Sequence, residues 1–473
     1  MADSRFAAIR LFIRKRWPFT NKITLLLIVF LTSLFGTQLF GSEDISVQAN
    51  HALFLLLFAG GLWITEAIPP FAVSILIIGF SIYFLDDIHF SVISSDWEKY
   101  INTWSSPIIW ILLGGFFLAM GAQITQFDRK FSRYVLRRFG TRPYTILLGC
   151  MLVTGILSMF MSNTATTAMM VAILKPIVKV LDKDDPFVKA LFLGVAAAAT
   201  VGGMGTVIGS PPNAIAMGVI QNAQIEFGFL EWMKAGVPVA LMFIILIWFL
   251  LKSYYRTSYQ SIQFGQVEED SDYPLRNTVG NRRTVVLTFI ITIGLWLTSP
   301  LHNIPVALVS FLPILILTVS GVVLGEDLRL VPWDTLILVA GGLTLGIVIS
   351  DSGLADYLVG QIPVFSNVYL MLLILSLLTT ALSNIMSNTA AASVLIPVGV
   401  SFLPDYALVV SVVIGLSAST ALFLPISTPP NAIAYSSGFL KQSDFRFIGS
   451  VTGLAAPVVI IFFAILLFSH LDL

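Results

Sequence analysis

The triplet Ser-Asn-Thr occurs twice in this 473-residue chain, each time inside a long apolar stretch. The first copy reads Leu157-Ser158-Met159-Phe160-Met161-Ser162-Asn163-Thr164-Ala165. The second, 225 positions on, reads Leu382-Ser383-Asn384-Ile385-Met386-Ser387-Asn388-Thr389-Ala390. A second doubled motif follows each, Pro211-Pro212-Asn213-Ala214-Ile215-Ala216 and Pro429-Pro430-Asn431-Ala432-Ile433-Ala434. Uncharged polar clusters in apolar surroundings cost free energy unless something binds there. Paired, helix-breaking polar motifs in a hydrophobic chain are the sequence signature of a secondary transporter built from two repeats.

The composition sets the solvent. The chain is 57% hydrophobic and only 11% charged, with a mean hydropathy of +0.91. Soluble domains carry roughly 25% charged residues, so this is an integral membrane protein. The 26 basic and 26 acidic residues balance, so net charge points to no partner, and no nucleic acid is expected. The single cysteine, Cys150, excludes an intrachain disulfide and reads as helix packing. At the N-terminus a basic run (Arg10, Arg14, Lys15, Arg16, Lys22) precedes an apolar stretch from Ile23 to Phe40. That stretch, roughly 18 residues, is longer than a signal-peptide core of about 7–15 and is read as an uncleaved first helix.

Eleven spanning helices are expected, near 23–41, 52–67, 69–85, 106–124, 190–222, 236–252, 284–300, 304–324, 334–350, 406–439 and 450–468. With the N-terminus inside, segments 125–142, 175–189, 252–283, 325–333 and 441–449 fall on the cytoplasmic side. Together with the N-terminal segment they hold 24 of the 26 Lys and Arg residues; only Lys99 and Lys234 fall outside. That is the positive-inside distribution, and it leaves the C-terminus outside. It holds only if the stretches 143–178 and 365–399, which carry the Ser-Asn-Thr motifs, each enter and leave on one face. Each arm has about 16 residues, about 24 Å of helix against a core of about 30 Å. Two re-entrant helical hairpins with polar tips near the midplane are the economical reading; two short full spans are the alternative.

The duplication extends past the motifs. Gly61-Leu62-Trp63-Ile64-Thr65 returns as Gly294-Leu295-Trp296-Leu297-Thr298, and Gly114-Gly115 as Gly341-Gly342. The expected organisation is an N-terminal segment with an extra helix (1–51), a first repeat (52–252, with hairpin 143–178 and broken helix 190–222), a cytoplasmic linker (253–283, carrying Glu268-Glu269-Asp270) and a second repeat (284–473, with hairpin 365–399 and broken helix 406–439). Five spans per half is an odd number, so the halves must be inserted upside down relative to each other. The fold class is an all-α polytopic membrane protein.

The motifs suit ion and anion binding. Ser210 and Thr428 precede the paired prolines and can cap the half-helices that follow. Positive helix N-termini then face an anion, while freed carbonyls and hydroxyls face a small cation. Asn163 and Asn388 each offer a donor and an acceptor; Thr164 and Thr389 add hydroxyls. Ser158 and Ser383 lie one turn before Ser162 and Ser387, on the same face. Gluing helices together accounts for one such motif but poorly for two pairs in matching order. Thr166 and Thr167 have no polar counterparts in the second copy, where Ala391 and Ala392 stand, so packing is expected there. Glu66 and Lys175 read as interfacial, and His51, His89, His302 and His470 at membrane edges or loops support neither a metal site nor a proton relay.

These residues resemble those of the divalent anion/sodium symporter family, carriers of di- and tricarboxylates and, in some members, sulfate. The resemblance covers nearly the whole chain. The family's sodium:sulfate signature is recognisable from Ala418-Ser419 through Pro425-Ile426-Ser427 to Asn431, departing at Leu422 (Phe in the family) and Ala434 (usually Val). The resemblance implies a homodimer, each protomer having a scaffold domain and a transport domain that carries the hairpins and broken helices and moves as an elevator. It implies substrate held by Asn163, Thr164, Asn388 and Thr389, with Ser387, Pro212 and Pro430 beside them. It implies one sodium site at Ser158, Ser162 and Asn163 with carbonyls near Gly209, and another at Ser383 and Asn388 with carbonyls near Ser427. Sodium is the only cofactor expected. The expected function is secondary transport of dicarboxylates of the succinate, malate, fumarate or 2-oxoglutarate type, by sodium symport or by exchange. Sulfate or citrate is the alternative cargo, and an anion channel the alternative class. A membrane enzyme lacks any intramembrane His, Asp or Glu constellation.

Overall fold

The computed structural model describes residues 18–41, 45–85, 97–182, 184–262, 276, 278–361 and 367–468, which form helices and turns with no strand among them. The basic residues Arg10, Arg14, Lys15 and Arg16, the acidic triplet Glu268-Glu269-Asp270, His89 and His470 lie outside the described residues.

The chain opens with α1 (Pro18–Phe40) and α2 (Val47–Thr65), whose N-cap Ser46 accepts the Ala49 N–H. It leaves α2 through Glu66 in the left-handed region, φ 50°, and restarts at a proline as α3 (Pro70–Phe84). Then come α4 (Pro107–Ile124) and the short α5 (Phe127–Leu136). A helical pair follows, α6 (Pro143–Ser158) and α7 (Asn163–Lys179), joined by residues 159–162. Next is a broken helix: α8 (Pro186–Gly202), a single tight turn (Gly203–Gly205) and α9 (Pro211–Asn222). The first half closes with α10 (Phe229–Tyr254).

The second half repeats that order element by element. It runs α11 (Val279–Leu297), α12 (Phe311–Val319), α13 (Trp333–Asp351), α14 (Leu354–Gln361), the helical pair α15 (Val368–Ser383) and α16 (Asn388–Phe402), the broken pair α17 (Ala407–Ala418) and α18 (Pro429–Ser436), and α19 (Gln442–Phe468). Prolines open α3, α4, α6, α8, α9 and α18. A missing N–H costs nothing in a first turn, and the fixed φ favours one.

Each of the eleven segments expected to span contains helix. Among the described residues seven helical stretches are long and apolar enough to cross a membrane by themselves: Lys22–Phe40, Val47–Thr65, Glu98–Ile124, Pro186–Gly205, Phe229–Tyr254, Trp333–Asp351 and Gln442–Leu467. The others are shorter or interrupted. The sequence reading missed α5 and α14, which occupy stretches it treated as connections. They are short, and α5 is highly charged, so neither carries a spanning signal.

The halves pack reciprocally. α3 lies on α13 and α12 on α4; α9 lies on α16 and α18 on α7; α9 also meets α17, as α18 meets α8. The paired glycines make two of these crossings possible. A Cβ at Gly114 would collide with Ser310 at the start of α12, and one at Gly341 with Ser74 on α3. The buried Trp63 and Trp296 of the doubled Gly-Leu-Trp motif donate across the next turn, to the Pro70 carbonyl and the Ser310 hydroxyl, both at 3.2 Å.

The linker is tied down at both ends. Ile262 N donates to Thr141 O at 2.8 Å at the base of α6, and the Thr257 hydroxyl donates to Asp185 at 2.9 Å. At the other end Arg276 reaches Asp327 (2.5 Å), Glu326 (2.9 Å) and the Val322 carbonyl (3.2 Å).

Helix α5 turns Asp128, Ser132 and Leu136 inward at four-residue spacing and Arg129, Lys130 and Arg133 toward its more open sides. Burial pushes the Asp128 carboxyl up to about 6, against the opposing pull of the Arg129 N–H and guanidinium. Its ordinary value is 3.8. The folded state therefore binds this proton more tightly than the unfolded one. Stability is greatest below the ordinary value, falls as pH rises toward 6, and levels off above it. The loss is at most about 3 kcal/mol. Melting of the purified protein between pH 4.5 and 7.5 should show a fall that Asp128→Asn flattens. Separately, Gly341→Val should lower the melting temperature, because forcing carbon into this crossing costs about 1–3 kcal/mol. Val at Gly360, where a Cβ meets nothing within 4 Å, should do much less.

Candidate functional site at the two helix breaks

Both Ser-Asn-Thr motifs fall at the turn of a helical pair, and the serine caps the second helix. Ser162 accepts the Ala165 N–H at 3.5 Å and Ser387 the Ala390 N–H at 3.2 Å. Asn163 and Asn388 thus occupy the first positions of α7 and α16, with Thr164 and Thr389 next. Asn163 and Asn388 are half-buried, Thr164 is exposed and Thr389 is buried. The unpaired N–H groups of each first turn give the tips positive ends.

The Pro-Pro-Asn motifs open α9 and α18, with Pro212 and Pro430 buried in the first turns. Sequence reasoning gave their asparagines no role, and the structure gives them one. The Asn213 amide donates to the carbonyls of Gly203 (2.9 Å) and Thr206 (2.8 Å), and the Asn431 amide to those of Leu424 (3.0 Å) and Leu422 (3.4 Å). These carbonyls belong to the interruptions, so each asparagine occupies oxygens that its own break released. The repetition of the motif was the available signal. Thr428 caps α18 as expected, accepting the Asn431 N–H at 3.3 Å. Ser210 does not cap α9; its hydroxyl lies 3.3 Å from that of Ser419 in the other repeat. Its reciprocal partner pair, Thr200 and Thr428, stands at 3.5 Å. These contacts bring the two breaks together.

Each turn is pinned to the break of its own repeat. The Thr206 hydroxyl donates to the Met159 carbonyl and accepts the Gly209 N–H. The Asn384 side-chain oxygen accepts from Phe423 N and from the Ser427 hydroxyl, both at 2.9 Å, while its amide donates to Thr380 O at 2.8 Å. Ser427 is therefore engaged with a side chain that the sequence reading did not single out.

Side-chain and backbone oxygens converge at both turns, and at the second two of them lack a partner. One terminal atom of the Asn163 amide lies 2.5 Å from Ser158 Oγ and 3.2 Å from the carbonyls of Ala199 and Gly209. With nitrogen in that position the amide's two hydrogens are shared among these three acceptors. With oxygen there, four oxygens converge, an arrangement that a cation stabilises. Ser158 Oγ also donates to Ala199 O at 2.7 Å. Of the residues expected here, Ser158, Asn163 and Gly209 converge, Ala199 joins them, and the Ser162 hydroxyl is turned to its capping role. In the second repeat Ser383 Oγ and Asn388 Oδ1 are buried with no hydrogen-bond partner. Buried acceptors without donors fit a cation as well. Thr167 bonds back to Asn163 O at 2.8 Å, as helix packing requires, while the buried Thr166 hydroxyl has no partner. From Thr145 to Leu174 and from Gln361 to Pro404 the sequence carries no charge.

The fold resembles that of two solved transporters: YdaH of Alcanivorax borkumensis, with a TM-score of 0.54 over 85% of this chain and 98% of that one, and MtrF of Neisseria gonorrhoeae, with 0.53 over 85% and 94%. At 12% identity each, the likeness is one of fold alone. A family profile described as a citrate transporter matches residues 61–414. An uncharacterized transporter of Haemophilus influenzae is 31% identical over 87% of this chain and 90% of its own length. The sodium-dependent dicarboxylate transporter SdcS of Staphylococcus saprophyticus is 29% identical over 89% and 87%. The chain belongs to the citrate transporter family, whose members are transporters rather than enzymes, and it matches the divalent anion/sodium symporters that its motifs resemble.

If the turns hold the ligand, substituting Asn163, Thr164, Asn388 or Thr389 with Ala should cut uptake while leaving folded protein in the membrane. Loss of one hydrogen bond to a charged ligand costs about 1.5–3 kcal/mol, roughly ten- to hundredfold in affinity. Ala at Thr167 should cost much less. Wild-type substrate affinity in Asn388→Ala, read from concentration-dependent uptake, would count against the assignment.

Proposed function

We propose that this protein is a secondary active transporter that carries C4-dicarboxylates or 2-oxoglutarate together with sodium. The observation that carries the reading is the oxygen cluster beside a helix N-terminus at each turn: Ser158, Asn163, Ala199 and Gly209 in the first, and the unpartnered Ser383 and Asn388 in the second. Asn163, Thr164, Asn388 and Thr389 hold the carboxylates, with Ser387, Pro212 and Pro430 shaping the pocket. Ser158, Asn163, Ala199 and Gly209 hold one sodium ion; Ser383, Asn388 and the chain near Ser427 hold another. A dianion here meets no Lys or Arg from the motifs, and each helix N-terminus supplies only about half a charge. Sodium entering with the substrate makes up the difference.

In this reading the chain crosses the membrane eleven times, with the N-terminus cytoplasmic and the C-terminus outside. The two helical pairs are re-entrant hairpins arriving from opposite faces, because the repeats are inverted. The hairpins and broken helices form a transport domain that slides as an elevator against a scaffold domain, and the protein is a homodimer. The reciprocal packing of the two halves fits repeats related by a two-fold axis, and the odd number of spans in each half puts that axis in the membrane plane.

The test is dicarboxylate uptake into proteoliposomes with choline replacing sodium, with and without internal dicarboxylate. Uptake should require sodium and should not require preloading. Full uptake without sodium, confined to preloaded vesicles, would establish exchange instead. Competition by sulfate or citrate in the same assay separates the alternative cargoes.

A further inference from the structure

The two repeats build the same helix crossing in different ways. In the first, α6 meets α8 glycine to glycine: a Cβ at Gly202 would fall 2.5 Å from Gly155 Cα. In the second, α15 meets α17, and the offsets that align the motifs put Thr380 at the place of Gly155 and Thr420 at that of Gly202. They also put Ser417 at Ala199 and Ser376 at Met151. The crossing therefore needs no oxygen, yet the second repeat supplies a ladder of it. The hydroxyls of Thr380 and Thr420 lie 2.9 Å apart, and the Ser417 carbonyl is 2.7 Å from the Thr420 hydroxyl and 3.5 Å from that of Thr380. Beneath them the hydroxyls of Ser376 and Ser417 stand 2.6 Å apart. All four side chains are buried.

Two further oxygens are left over. In the first repeat the Ser158 hydroxyl satisfies itself on the Ala199 carbonyl. The corresponding carbonyl in the second repeat, Ser417 O, already accepts from Thr420 and Thr380. Ser383, one turn from Thr380 on the same helix, is fully buried and its hydroxyl has no partner. Thr452 on α19 is likewise buried and without a partner, and it stands next to Gly453, where a Cβ would lie 3.3 Å from Thr380 Cγ2.

We infer that this ladder is a further sodium position, held by the hydroxyls of Thr380 and Thr420 and the carbonyl of Ser417, one turn of α15 from Ser383 of the site at Asn388. The three ligand oxygens form a facet with edges of 2.7, 2.9 and 3.5 Å. Such spacings allow all three to touch one small cation, and neutral oxygen ligands suit it. Binding requires the Thr380 proton to turn back along α15, a bond threonine commonly makes, and the Thr420 proton to leave the Ser417 carbonyl that it now occupies. The inference rests on the proposed sodium coupling and extends it: the second repeat would carry one more ion than the first, and each cycle would move one more charge.

The experiment measures the number of sodium ions moved per dicarboxylate, from the sodium gradient that just halts net flux in proteoliposomes at fixed membrane potential. The pair Thr380→Val and Thr420→Val keeps the shape and removes both oxygens. It should lower the ratio by one ion while dicarboxylate is still transported. The pair Thr380→Ser and Thr420→Ser keeps the oxygens and should retain the wild-type ratio. If the valine pair does not fold, Thr380→Val alone should lower the ratio and is read in the same way. A valine variant with the wild-type ratio would reduce the ladder to helix packing and overturn the inference, leaving sodium coupling intact. Sodium-independent uptake by the unaltered protein would overturn the coupling itself, and the further ion with it.

Discussion

Backbone polar groups released inside an apolar interior must find partners, and the architecture of this chain follows from where it releases them. Two helices are interrupted by paired prolines, and each interruption exposes carbonyls that no helix can use. Asn213 and Asn431 answer part of that demand from within their own half-helices, each amide spanning two carbonyls. What they leave unused is what the proposed ligands would take. The helical pairs then complete it, because their turns are pinned to the same interruptions through Thr206 and Asn384. A continuous helix at either place would remove both the binding groups and the reason for the turns to approach.

The near-symmetry of the halves is informative for where it fails. Reciprocal crossings, matched glycines and matched tryptophans show one plan used twice. Yet Ser210 faces across to Ser419 while Thr428 caps its own helix, and where one repeat has Gly155 on Gly202 the other has Thr380 on Thr420. Duplicated halves need equal shape to pack against each other, but they need not bind equal ligands. A transporter loads substrate and ions from one pocket, and differences in oxygen content between the halves are a direct way to set how many ions each contributes.

Much of this was legible in the sequence. The doubled motifs located both turns and both breaks, and Gly114-Gly115 returning as Gly341-Gly342 marked the duplication, though not the crossings these glycines make. What stayed hidden depends on direction rather than identity. Nothing in the order of residues says that Ser210 turns outward to the other repeat, that Ala199 offers its carbonyl to Ser158, or that Asn384 rather than Ser387 grips the break. Carbonyl ligands carry no residue signature at all, and the ladder at Thr380 is visible only once two helices 40 residues apart are laid side by side. The helices α5 and α14 escaped because they are short and lack a spanning run.

The reciprocal packing also bears on how the protein is made. α9 rests on α16 and α18 on α7, so neither repeat contains the surfaces that cover its own polar centre. During synthesis the first repeat is complete long before the second has left the ribosome. Its break and its turn can bond to each other through Asn213, Thr206 and Ser158, but Ser210 must wait in the bilayer, or in the insertion machinery, without Ser419. The two halves are thus one folding unit separated in time. Biogenesis of this chain is exposed to a long interval in which premature release, or a partner from another copy, competes with the correct half.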